Sequence, residues 1–175
     1  MLGRISLALA IVPFLAGRAS GQAPDSRVVL ERTACFGFCP VYRLEISADG
    51  VATFVGKSNV KTKSATKRLQ LGAFDSLLIH LDHSGFFSLD SAYVEGRAGC
   101  VQAVTDQPYA ILTVTRNGRT HAVRYYYGCL GAQVTGSIDS ILSTLPNPNG
   151  QRGVFVRSAA YVDSIAGTHE WLKHR

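Results

Sequence analysis

Two short turn sequences, Asp49-Gly50 and Asn117-Gly118, each lie between β-rich runs and constrain the fold of this chain more than any other feature. Glycine adopts a positive φ without steric cost, which a two-residue type I′ turn requires. The residues before Asp49 alternate between apolar and polar types, as a half-buried strand does. Both dipeptides therefore predict antiparallel hairpins, with strands at residues 41–48 and 51–55 and at residues 109–116 and 119–127.

Each hairpin precedes a segment with the periodicity of an amphipathic helix, in which apolar residues recur every three or four positions. Gly85 is expected to end the first helix and Pro146 the second. A third helix is predicted from about Ser158 to Lys173. The apolar positions are Phe74, Leu77, Leu78 and Leu81 in the first helix, Val134, Ile138, Ile141, Leu142 and Leu145 in the second, and Tyr161, Ile165 and Trp171 in the third.

The order of these segments predicts the fold class. A further strand, Arg27–Arg32, precedes the first hairpin. Strands that are apolar on one face need a cover, and the apolar stripes of the helices can provide it. We therefore predict an α+β fold of two layers: an antiparallel sheet of four to five strands, built from two β-hairpin–helix units, with helices packed on one face. This domain is assigned to residues 24–146, and residues 147–175 form a C-terminal extension that includes the third helix.

Residues 1–23 have the pattern of a secretory signal peptide. Arg4 supplies the positive charge, residues 7–15 form a short apolar run, and small residues follow up to Ala23, with cleavage favoured after Gly21. The apolar run is shorter than the roughly 20 residues that a membrane-spanning helix needs. The mature protein is therefore expected to be periplasmic or secreted, with no transmembrane segment after signal removal.

Four cysteines in an exported chain predict disulfide bonds. The second hairpin places Cys129 opposite residue 106, near the loop that carries Cys100, so a Cys100–Cys129 bridge is favoured. Cys35 and Cys39 then pair across a tight loop, in which Gly37 permits the chain reversal. Crosswise pairing is the structural alternative.

The spacing of Cys35 and Cys39 also decides between chemical functions. A thioredoxin-type site has two residues between its cysteines and a helix after the first, whereas here three residues intervene and a strand follows Pro40. Haem attachment needs a Cys-x-x-Cys-His string, which is absent, and zinc needs reduced thiols. We therefore predict no cofactor and no catalytic residue, and keep a thiol–disulfide function of Cys35 and Cys39 as the alternative.

Aromatic side chains supply the candidate binding residues. Phe36, Phe38 and Tyr42 surround the cysteine pair and are expected to close one end of the core, with an exposed aromatic surface as the alternative. Tyr125 and Tyr127 are expected to follow ordinary strand propensity, with a groove for a sugar or peptide as the alternative.

Charged and histidine residues give weaker signals. His80 and His83 lie three positions apart on the first helix and are weak metal candidates, because no third ligand is identifiable.

Loss of Arg4 and Arg18 with the signal peptide lowers the net charge from +6 to +4. Much of the remaining excess lies at residues 57–68 and 173–175. The run at residues 57–68 is expected to be a solvated loop, with contact to an anionic polymer or an envelope protein as the alternative. Nucleic acid is not expected, because the run has no interleaved aromatic residues.

The string Cys35-Phe-Gly-Phe-Cys39-Pro-Val-Tyr42, with the Asp49-Gly50 turn, the Gly85-Phe-Phe segment and Thr105-Asp106-Gln-Pro, resembles a bacterial family known only as a domain of unknown function (number 6438). The resemblance covers roughly residues 28–145 and implies an exported or envelope-associated domain without assigned activity. Cys100 and Cys129 lie outside the recognised pattern. The resulting prediction is a disulfide-stabilised binding or interaction module of the periplasm or cell envelope that performs no catalysis.

Overall fold

A computed structural model describes residues 25–97, 99–100, 102–130 and 150–172. More of these residues belong to strands than to helices. The elements are β1 Arg27–Arg32, β2 Val41–Ser47, β3 Val51–Ser58, β4 Ser64–Arg68, α1 Ala73–His83, β5 Ala92–Tyr93, β6 Gln102–Ala103, β7 Tyr109–Arg116, β8 Arg119–Tyr126, β9 Cys129–Leu130 and α2 Gln151–Ala166, with short 3-10 turns at Phe86–Ser88 and Thr168–Glu170.

Seven strands form one mixed sheet in the order β4-β3-β2-β1-β7-β8-β5. β1 lies at its centre, antiparallel to both β2 and β7, and β5 joins the edge parallel to β8. A second, two-stranded sheet pairs β6 with β9. The predicted two-layer fold with four to five antiparallel strands is therefore wrong: within the described ranges the protein is strand-rich, with a seven-stranded mixed sheet and two α-helices.

Two strands of the sheet, β4 and β5, give little signal in the sequence. β4 lies in the basic run that was expected to be a loop, and it occupies a sheet edge where strands commonly carry lysine. β5 contains two residues, too few for any alternation to be visible. The hairpins themselves are confirmed, since Ile46 pairs with Ala52 and Arg116 pairs with Arg119. Asn117 and Gly118 both have the positive φ of a type I′ turn. In the first hairpin Gly50 has a positive φ but Asp49 does not, and residues 48–50 separate the strands, so the two-residue type I′ turn predicted there is wrong.

The helices bury apolar stripes in the same core as the sheet. α1 buries the four predicted residues and is followed by Gly85, whose φ of 83° terminates it. The predicted helix at residues 134–145 lies outside the described residues. α2 begins earlier than predicted, at Gln151, and ends before Gly167. The core residues of α2 include Phe155, Ala159, Val162 and Ala166.

The structure contains the two expected disulfides, Cys35–Cys39 and Cys100–Cys129. Two such bonds suggest an oxidising, non-cytoplasmic environment. Across the described part of the chain, neither helix has the length and apolar character needed to cross a membrane.

Candidate functional site

The segment between β1 and β2, residues 33–40, forms a loop that we call the disulfide loop. The chain leaves the sheet at Arg32 and returns opposite it at Tyr42. Within the loop the Cys35–Cys39 bond closes the turn, and Gly37 adopts a φ of 126° that favours glycine. The loop is therefore fixed at its base by sheet pairing and internally by a covalent bond.

Hydrogen bonds on both sides hold the disulfide loop against its neighbours. The Phe36 amide donates to the carbonyl oxygen of Asp106 at 3.0 Å. On the other side, Asn59 Nδ2 donates to the carbonyl oxygen of Cys39 at 3.1 Å. Asp106 and Asn59 both have a positive φ. Each of the two neighbouring segments therefore turns at the residue that contacts the disulfide loop. These contacts give the loop one defined position relative to the sheet.

Phe36 and Phe38 lie on the outside of this loop, 88% and 80% exposed. The expectation that they close one end of the core is wrong for both, whereas Tyr42 is 2% exposed and belongs to the core. The difference follows from position, because Tyr42 lies in β2 with its side chain on the core face. Phe36 and Phe38 flank Gly37 in a loop that has already left the sheet.

Beneath the loop, the Arg32 side chain binds three groups with three different nitrogens. Nε donates to the Tyr42 hydroxyl at 2.9 Å, and Nη1 donates to the Tyr127 hydroxyl at 2.8 Å. Nη2 donates to Asp163 Oδ2 at 2.7 Å and forms an ion pair there. The guanidinium is thus oriented by groups from β2, the end of β8 and α2, which fits its fixed fork of donors.

Asp163 is the shared acceptor of this cluster. Its Oδ1 accepts hydrogen bonds from the Tyr42 hydroxyl at 2.8 Å and from Thr168 Oγ1 at 3.1 Å. Burial, together with the negative charge of Asp163, raises the pKa of Tyr42. Burial alone would lower the pKa of Arg32, but attraction to Tyr42 and Asp163 outweighs it and raises that pKa. Arg32 is therefore charged and Tyr42 neutral at physiological pH.

The cluster lines a pocket of about 280 Å³ that opens beside the disulfide loop. Ligand pockets for small molecules usually measure roughly 300–1,000 Å³, so this volume suits a single side chain or a small group. An open concavity of about 560 Å³ adjoins it along the loop. The first is lined by Arg32, Thr33, Cys39, Pro40, Tyr42, Pro108, Tyr109, Tyr127, Asp163 and Leu172, and the second by Cys35, Phe36, Phe38, Cys39, Asp106 and Gln107.

The two tyrosines for which a groove was the alternative are neighbours, with ring centroids 5.9 Å apart, but they differ in exposure. Tyr127 lies in the Arg32 pocket. Tyr125 is 2% exposed and packs in the core, with its ring centroid 5.1 Å from Phe155 and 5.6 Å from Tyr93. Tyr42 and Tyr127 are therefore brought together by Arg32, and Tyr125 is withdrawn from the surface.

The two candidate metal ligands on α1 have different surroundings. His80 is half-buried and stacks on Tyr161 of α2 at 3.7 Å between ring centroids, whereas His83 is exposed. Within the described residues, no three His, Cys, Asp or Glu side chains lie close enough together to hold a metal ion. The described structure therefore supplies no third ligand for the pair.

Sequence reasoning missed Arg32 and Asp163, which organise the pocket. Arg32 ends a strand with three buried residues, and a terminal arginine usually lies in solvent. Asp163 lies one position after the buried Val162 in α2, a place where an acidic residue gives no distinctive signal. An ion pair that joins positions so far apart in sequence has no short-range signature.

Residues 26–146 match the family described as Domain of unknown function (DUF6438). The chain belongs to this family. The matched range contains both disulfides, Arg32, Tyr42 and the exposed loop, whereas Asp163 lies beyond it in α2. In this member of the family, the arginine pocket is thus completed by a segment outside the matched range. No curated protein matches the chain.

Proposed function

We propose that this member of the family is an exported binding module of the periplasm or cell envelope, and that the disulfide loop is its contact surface. The observation that carries the proposal is the pair Phe36 and Phe38, 88% and 80% exposed on a covalently closed loop. Large apolar side chains grouped on a surface mark interaction sites. A closed loop lowers the entropy lost on binding, because its conformation exists before the partner arrives.

The Arg32 pocket extends this surface. Its volume of about 280 Å³ suits one side chain of a partner, and the disulfide itself forms part of its wall through Cys39. Arg32 already donates hydrogen bonds to Tyr42, Tyr127 and Asp163, so these polar groups are held in fixed positions. The rest of the pocket surface is mainly apolar. Binding here is expected to use shape and apolar contact more than new ion pairs.

Export is supported by the sequence of residues 1–23 and by the two disulfides, which suit an oxidising compartment. The partner class proposed from sequence is an envelope protein or an anionic polymer. Both are accessible from the periplasm or from outside the cell.

Site-specific photo-crosslinking tests the proposed surface. A benzophenone side chain replaces Phe38 in cells that produce the protein, and the matched control replaces Leu71, an apolar residue 106% exposed elsewhere on the surface. We expect adducts with another envelope component from position 38 and few from position 71. Equal adduct yields at the two positions would contradict the assignment of the loop as the contact surface.

A second candidate function, thiol–disulfide exchange or thiol sensing by Cys35 and Cys39, is favoured by accessibility. Both residues are partly exposed, whereas Cys100 and Cys129 are 0% and 1% exposed. An attacking thiolate needs access to a sulfur atom, so the two bonds are expected to react at different rates. Disulfide mapping by mass spectrometry across graded reducing potentials tests this candidate. Opening of Cys35–Cys39 well before Cys100–Cys129 would support it, and equal resistance of both would remove it.

A further inference from the structure

Three lysines lie beside the disulfide loop without acidic partners. Lys57, Lys61 and Lys63 are exposed, and none forms an ion pair within the part of the chain that the structure describes. In contrast, Lys67 in β4 is paired with Glu170. The three ammonium groups are thus available to an external anion, which makes this end of the molecule locally cationic.

The fold places the segment that carries these lysines against the disulfide loop, which carries Phe36 and Phe38. Asn59, between Lys57 and Lys61, donates to the Cys39 carbonyl oxygen at 3.1 Å. Val41, directly after Pro40, pairs with Ser58, the neighbour of Lys57. The Lys63 ammonium reaches the carbonyl oxygen of Lys57 at 3.5 Å, which gathers the basic residues on one turn. Exposed phenyl rings and unpaired ammonium groups therefore share one end of the protein.

We propose that this end of the molecule docks on the surface of an anionic lipid bilayer, an inference that rests on the proposed function and adds a membrane surface to the partners given there. Phe36 and Phe38 enter the boundary between headgroups and acyl chains, and the three lysines contact the anionic headgroups. Peripheral membrane binding commonly combines an apolar insertion with a polybasic patch, because neither signal alone gives stable attachment.

The kind of charge and the shape of the loop favour a bilayer over a soluble anionic partner. Lysine is a mobile point charge on a flexible stem, which suits diffuse headgroup phosphates, whereas recognition of one specific oxyanion favours the planar fork of arginine. The rings flank Gly37 at the outside of a closed loop and are accessible without any opening of the core. A purely anionic polymer would leave both exposed rings without an apolar partner.

Asp106 is the opposing charge at this surface. Its carbonyl oxygen accepts the Phe36 amide, and its carboxylate accepts a hydrogen bond from Thr105 Oγ1 at 3.1 Å, so it lies beside the inserting ring. A carboxylate near anionic headgroups weakens association. The inference therefore predicts that Asp106→Asn tightens binding to anionic vesicles, which a docking surface elsewhere on the protein would not produce.

Vesicle co-sedimentation of the mature chain with both disulfides intact tests the proposal. The probes are vesicles of phosphatidylcholine alone and of phosphatidylcholine with an equal amount of phosphatidylglycerol. We expect binding to the anionic vesicles that falls steeply at high ionic strength, because salt screens the lysine contribution. Binding to the vesicles is expected to be reversible. Two inserted phenyl rings and three charges give a much lower membrane affinity than a spanning helix does.

Matched variants separate the two contributions. Phe36→Ser with Phe38→Ser is expected to weaken binding by about tenfold or more, because two apolar side chains lose their burial. Its control, Leu71→Ser, removes an exposed apolar residue outside the loop. This control variant is expected to bind vesicles as the wild-type protein does. Lys57→Gln with Lys61→Gln and Lys63→Gln is expected to weaken binding severalfold. Its control is Arg116→Gln with Arg119→Gln, at the tip of the β7–β8 hairpin.

Each alternative outcome is distinguishable. Equal binding to neutral and anionic vesicles, or equal losses in the variants and their controls, would overturn the bilayer inference. Binding that needs the lysines but not Phe36 and Phe38 would show attachment by charge alone, without insertion of the rings, and would also overturn it. Absence of vesicle binding together with protein adducts at position 38 would refute the bilayer and leave the proposed function intact. Absence of both would refute both proposals.

Discussion

The two disulfides of this protein belong to opposite kinds of environment. Cys100–Cys129 is 0% and 1% exposed and joins residues 29 positions apart, whereas Cys35–Cys39 is partly exposed and joins residues 4 positions apart. Closing a longer loop restricts the unfolded chain more, so the longer loop is expected to contribute more to stability. The comparison indicates that the buried bond mainly stabilises the fold, while the exposed bond mainly shapes a surface.

Removal of the buried bond is expected to have the largest effect. Cys100→Ala with Cys129→Ala should lower the free energy of unfolding by about 3–4 kcal/mol, because the closed loop is long and both residues lie in the core. Urea denaturation followed by circular dichroism measures the change. A loss no greater than that of the Cys35–Cys39 variant would contradict the division of roles.

Removal of the shared acceptor below the disulfide loop should rank second. Asp163→Ala removes the ionic partner of Arg32 and the carboxylate acceptor of Tyr42 and Thr168, so we expect a loss of about 2–3 kcal/mol in the free energy of unfolding. The control Glu170→Ala removes an exposed ion pair with Lys67 and should cost less than about 1 kcal/mol. Equal losses in the two variants would show that the pocket does not anchor α2 to the sheet.

Alkaline pH should lower the free energy of unfolding, because the core contains buried tyrosines. Burial raises the pKa of Tyr125 from 10.0 to about 12 and also raises that of Tyr42. A raised pKa in the folded state means that stability is complete below pH 10 and is lost as the pH rises through the folded value. Unfolding free energies measured between pH 9 and about pH 12 should therefore decline, and Tyr125→Phe should decline less steeply. A parallel decline in wild type and variant would contradict this assignment.

Removal of the exposed bond should reduce stability less than removal of the buried one. Cys35→Ala with Cys39→Ala opens a very short loop, so we expect a loss of about 2 kcal/mol or less. The effect on the contact surface should be relatively greater, because Phe36 and Phe38 lose their fixed arrangement. The checks are urea denaturation and the vesicle or crosslinking assay on the same preparation. A variant that binds like wild type would show that the bond does not organise the surface.

The hairpins, the first helix and the disulfide pairing could be predicted because their signals are local. Asn117-Gly118 determines its turn within two residues, and the spacing from Phe74 to Leu81 identifies one helical face. β4 could not be recognised, because an edge strand such as Ser64–Arg68 is polar and basic and resembles a loop. β5 depends on its parallel pairing with β8, which no local pattern encodes.

The candidate site was only partly predictable for the same reason. Residues around the cysteines were identified, but their burial depends on where the loop leaves the sheet, so Phe36 and Phe38 were expected in the core. The Arg32–Asp163 contact joins β1 to α2 and appears only once the chain is folded. Local patterns thus predicted elements and covalent links, whereas the sheet order and the polar pocket required tertiary contacts.

The smallest expected effect on stability tests the comparison most directly. Phe36→Ser with Phe38→Ser changes two residues that are 88% and 80% exposed, so the free energy of unfolding should change by no more than about 0.5 kcal/mol. Binding should nevertheless decline, because the same rings form the proposed contact surface. Thermal unfolding and vesicle binding of this variant, measured beside Leu71→Ser, separate the two properties. A marked loss of stability would mean that the rings pack against the domain, and the exposed disulfide would then support the fold as the buried one does.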